Sequence, residues 1–64
     1  METIWIVTCP DNSAAAFEDA DLIRDATVGW GDWIEVAPDL MFCQILPGHT
    51  TARANRVGLT MKLL

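Results

Sequence analysis

The chain has 64 residues, 52% of them hydrophobic, and a net charge of −5 at neutral pH. A length this small reads as one domain, 1–64, that buries only about 60% of its unfolded surface, so stability is small and the apolar excess favours a homodimer or a partner. The apolar content argues against disorder, the acidic start and short run Ile4–Cys9 against a signal peptide, and no stretch approaches the roughly 20 apolar residues of a membrane span; a cytoplasmic protein is expected.

Thr3–Cys9 is β-branched and aromatic and stops at Pro10-Asp11-Asn12. It predicts a strand, central in its sheet because both faces carry apolar groups. Asp11, Asn12 and Ser13 are N-cap residues ahead of three alanines, which predicts a helix over Ser13–Thr27. On its wheel Ala16, Ala20, Ile23 and Thr27 form one line, with Phe17 and Leu22 at its edges, and Gly29 supplies the left-handed stop. A short strand over Trp33–Val36, a turn at Ala37-Pro38-Asp39 and a strand over Leu40–Leu46 follow, closed by Pro47-Gly48. The tail 49–64 has two readings. Val57, Leu59, Met61 and Leu63 alternate as in a half-buried strand, whereas Ala52, Arg53 and Ala54 favour a helix from Thr50. The strand is preferred, because Gly58 would weaken a helix and the apolar residues scatter around its wheel. The fold class is then α+β: a small, mostly antiparallel β-α-β-β-β sheet with one amphipathic helix on a face.

Charge is unevenly placed. Residues 1–40 hold all nine acids and one base, a net −8; residues 41–64 hold Arg53, Arg56 and Lys62 with no acid, a net +3. Such a field bears on partners rather than fold. On the expected helix Glu18, Asp21 and Asp25 lie within about 60° of one another, about 4.5 and 6 Å apart along the axis. Phosphates along a nucleic-acid strand repeat at broadly similar intervals, so a groove built for phosphate can accept such a row. The ordinary alternative is a solvated outer face, but such faces mix signs, and only Arg24 relieves this one. Asp32, Glu35 and Asp39 extend the field.

Trp30 and Trp33 flank Asp32 in a glycine-rich loop. One indole is needed by the core beside Trp5, which leaves Trp30 as the candidate contact residue. The basic tail lacks interleaved aromatics, and the acidic remainder repels phosphate, so direct nucleic-acid binding is not expected.

Catalytic and metal chemistry find no pattern. His49 is the sole imidazole and reads as a turn residue. Cys9 and Cys43 each sit inside an expected strand as small apolar side chains, with a bond between them left open should those strands be neighbours. A zinc site from the two cysteines, His49 and a carboxylate lacks any C-x-x-C pair, and no phosphate-binding glycine loop is present. Neither a metal nor a cofactor is expected, and the protein is read as a non-enzyme.

In size, charge and composition over the whole chain, the sequence resembles small acidic inhibitors encoded by bacteriophages, the anti-CRISPR and DNA-mimic proteins. The resemblance implies inhibition by occupancy in a bacterial host cell: an acidic surface covers the basic groove of a nucleic-acid-binding protein or defence complex. The partner-binding candidates are Glu18, Asp21, Asp25, Trp30, Asp32, Glu35 and Asp39. The alternative is a structural or assembly protein, or an antitoxin-like regulatory subunit, acting as a homodimer or with a dedicated basic partner.

Overall fold

The computed structural model describes residues 2–45 and 50–58. Its elements are β1 (Thr3–Thr8), β2 (Ala14–Phe17), α1 (Ala20–Ala26), β3 (Trp33–Ala37), β4 (Leu40–Ile45) and β5 (Thr50–Gly58). The strands form one antiparallel sheet in the order β2-β1-β5-β4-β3, with the helix packed on one face, an α+β fold.

The expected helix over Ser13–Thr27 is corrected: only its second half is helical. Asp11 Oδ1 accepts from the Ser13 amide at 2.9 Å and from the Ser13 hydroxyl at 2.6 Å. Asn12 takes φ 69°, and the Cys9 amide donates to the Ser13 carbonyl at 2.8 Å. The cap residues therefore close a hairpin, and Ala14–Phe17 pairs with β1. Alanine's helix propensity is worth well under 1 kcal/mol per residue, less than an antiparallel partner provides.

Asp19 is the true N-cap; its backbone is extended and its side chain accepts from the Leu22 amide at 3.0 Å. Two helical turns are marginal in water, so α1 persists through packing. Ile23 is wholly buried against Trp5, Val7, Met41 and Ala54, and Phe17, Cys9, Ala20 and Trp33 flank that cluster. Thr27, at the helix end, is buried too, and Gly29 follows at φ 92°, the left-handed stop expected of it.

β1 lies inside the sheet, as its two apolar faces require. The tail is strand where the helix reading competed: Thr50–Gly58 runs between β1 and β4 with Ala52 and Ala54 wholly buried. Of the expected strand Val57–Leu63, Val57 and Gly58 form the end of β5, with Val57 exposed on the face opposite the buried Ala52 and Ala54; residues 59–63, the Pro47-Gly48 stop and His49 lie outside the described residues. Both thiols are free, Cys43 buried and Cys9 half-buried.

Candidate protein-binding surface

The seven candidate residues fall into two groups rather than one row. Glu18 precedes the helix, so the expected stripe of Glu18, Asp21 and Asp25 is split. Asp21 and Asp25 remain one turn apart on α1. Glu18 instead sits in the bend that follows β2, lining a surface recess with Glu2, Thr3 and Ile4. Asp32, Glu35 and Asp39 lie along or beside β3 at the other edge of the sheet.

All nine carboxylates are exposed. Two of them meet a cation among the described residues. Asp21 lies 3.5 Å from Arg24, a loose surface pair, and Asp39 lies 2.6 Å from Arg56. Asp39 is thus occupied within the fold, a pairing across 17 residues of chain that neither motif nor spacing reveals. Two more carboxylates hold backbone: Asp11 in the hairpin turn and Asp19 at the helix cap. The Ser13 hydroxyl and amide hold the Asp11 carboxyl below its ordinary pKa. Glu2, Glu18, Asp25, Asp32 and Glu35 make neither kind of contact among the described residues.

The loop that follows the helix is tightly built. The Trp33 indole Nε1 donates to Thr27 Oγ1 at 2.9 Å, and that hydroxyl donates to the Ile23 carbonyl at 2.8 Å. Trp33 is therefore the tryptophan that joins Trp5 at the core, and Trp30 is half-buried beside it. Gly31 takes φ 132°, and a β-carbon there would stand 2.7 Å from the Gln44 carbonyl oxygen, so only glycine fits. Burial, and secondarily the Asp32 charge, push the Cys43 thiol up, which keeps it a thiol rather than a nucleophilic thiolate at neutral pH.

Sequence reasoning missed two apolar members of this surface. Leu22, 43% exposed, and Val28, 83% exposed, stand among the helix acids. Placing Leu22 at the edge of the buried stripe was the available signal, and it pointed inward because the stripe was drawn on a longer helix. Among the described residues, no cluster of three or more His, Cys, Asp or Glu is placed to hold a metal, and no helix is long and apolar enough to cross a membrane. Compared with protein-family models, curated proteins and solved structures, the chain gives no match.

Proposed function

We propose that this protein acts by contact, as a small acidic binding module that covers the basic, nucleic-acid-binding surface of another protein and excludes nucleic acid from it. The observation that carries this reading is the exposure of all nine carboxylates with ion pairs at Asp21 and Asp39 alone among the described residues. Like charges on a domain this small oppose compaction, a standing cost that a solvated face with mixed signs avoids. Carboxylates matched to Lys and Arg in a phosphate-binding groove recover that cost on association, chiefly as a faster on-rate that salt suppresses. Leu22, Val28 and the edge of Trp30 supply apolar area that slows release.

The resemblance in size and charge to phage-encoded inhibitors is what suggests, for this reading, a bacterial cytoplasm as the location and a host or CRISPR-type defence complex as the target. The protein itself binds neither duplex nor single-stranded nucleic acid at physiological salt, because its net field repels phosphate. The test starts from partners captured on the immobilised protein from a bacterial lysate. The captured protein's binding to labelled DNA or RNA is then followed as this protein is titrated in. Displacement of nucleic acid supports the reading. Simultaneous binding of both, or direct submicromolar binding of nucleic acid by this protein, overturns it.

A further inference from the structure

The helix covers one face of the sheet, and among the described residues no element packs on the other. Beside Thr8, Thr51, Arg53 and Asn55, that open face carries a cluster of large apolar side chains. Ile6, Leu40 and Phe42 are half-buried there, while Ile34, Val36 and Val57 are 62%, 56% and 42% exposed. An antiparallel sheet normally turns polar residues to water on its free side. Here the pairing register sets Thr8, Arg53, Phe42 and Ile34 in one row and Ile6, Asn55 and Leu40 in the next. Val36 and Ile34 form one wall of a groove of about 470 Å³ that Phe42 and Asp32 also line.

We infer that this face is covered by a second copy of the chain, giving a two-fold symmetric sandwich of two sheets with both helices outward. Three observations select a second copy.

The first is charge. The acid Asp32 lies at the rim of this face, lining the groove with Ile34 and Phe42, and Arg53 stands inside it opposite Phe42. Arg24 and Arg56 each have an ion-pair partner, whereas Arg53 has none among the described residues. The second is position. Asp32 lies two strands and one two-residue step from Arg53, about 12 Å in the plane of the sheet, with Phe42 beside the midpoint. A two-fold axis between two such faces, passing through that midpoint, sets Arg53 of each copy opposite Asp32 of the other and brings Phe42 toward the other copy's Ile34. Isologous contacts require this kind of self-complementarity.

The third is that the edges are closed to the same purpose. β2 is four residues long, and β3 carries a register shift between Glu35 and Ala37. Edge-to-edge pairing of β3 would also set Glu35 near its own copy. The face measures about 24 by 20 Å from strand spacing and length. Its footprint falls at the small end of specific interfaces, so the dimer is expected in about the micromolar range.

The full chain is examined by sedimentation equilibrium across about 5 to 200 µM, a span that brackets a micromolar dimer. The expected result is a mass rising to twice the 7.1 kDa of the chain. Ile34→Lys, at an exposed edge position, should weaken the dimer about tenfold or more while melting as a folded protein. Arg53→Asp should weaken it by about tenfold, and the exchange Asp32→Arg with Arg53→Asp should restore it. A chain that stays monomeric throughout overturns the proposal, leaving the face to another occupant. So does a dimer indifferent to Ile34→Lys or not restored by the exchange. None of these readouts involves a partner protein, so the acidic-surface reading stands or falls separately.

Discussion

Arg56 joins the basic end of the chain to the acidic part through Asp39: its guanidinium lies 2.6 Å from the Asp39 carboxylate, and its backbone amide donates to the Asp39 carbonyl at 2.9 Å. The same guanidinium lies 5.5 Å from the centroid of the buried Trp5 ring. One side chain therefore closes the β3–β4 turn and roofs the core. Both ionic groups are well exposed, so the pair itself adds only about 0.5 kcal/mol after solvent screening. The contact with the indole face adds about 0.5–1 kcal/mol.

Arg56→Ala should accordingly lower the melting temperature by about 5–10 °C, a large share of the stability of so small a domain. Asp39→Asn, which keeps the turn and the backbone bond, should lower it by less than half as much. Thermal denaturation followed by circular dichroism checks both.

Thr27→Val should destabilise the fold by about 1–3 kcal/mol, despite its near-identical shape. The exchange removes the acceptor of the half-buried Trp33 indole N–H and the donor to the buried Ile23 carbonyl. Thr27→Ser retains both bonds and should lose much less. Denaturant titration measures the difference, and faster hydrogen exchange at the Trp33 indole in the Val variant would locate it.

The strands β1, β3 and β4 were legible because β-branched and aromatic runs end at Pro10, Pro38 and nearby turn residues. The helix was half legible. Ala20, Ile23 and Thr27 do form its inner line, but Asp11 and Ser13, good caps in isolation, spend their side chains on the hairpin that turns Ala14–Phe17 back onto β1. Local cap chemistry cannot choose between those uses, since the choice depends on a strand partner. At β5 the alternation of buried and exposed residues is confined to Thr51–Asn55 and is disguised by the small size of the inward Ala52 and Ala54. Ala52 and Ala54 are core residues because the helix side of the central strand is crowded, and alanine reads equally as a helix former. Of the candidate surface, exposure of the acids was legible. The engagement of Asp39 and the separation of Glu18 from the helix row arise from tertiary placement alone.

Acid should loosen the β1–β2 hairpin locally. Hydrogen bonds from Ser13 lower the folded pKa of Asp11, so its contribution is present above the ordinary carboxylate value and is lost as pH falls through the lower folded value. The Ser13 amide resonance reports this loss: it should titrate with a midpoint below the ordinary carboxylate pKa, and Asp11→Asn should abolish the titration.

Leu22→Ser combined with Val28→Ser should accelerate release of a captured basic partner by about tenfold, with little change in association rate. Both side chains are exposed, so the melting temperature should move little. Surface plasmon resonance separates the two rates.

Charge reversal at the acidic surface is the most direct measurement. Glu18→Lys, Asp21→Lys and Asp25→Lys change exposed side chains, of which only Asp21 has an ionic contact among the described residues, a loose one to Arg24. Affinity for the captured partner is compared between this triple variant and the wild type at low and physiological salt, alongside their thermal melts. The account predicts a variant that melts near the wild-type temperature and loses about a hundredfold or more in affinity, mostly through association rate, with the wild-type affinity itself falling as salt rises. A variant that folds normally and binds with unchanged affinity would contradict it, and Glu18 and the helix acids Asp21 and Asp25 would then be no more than solvated side chains.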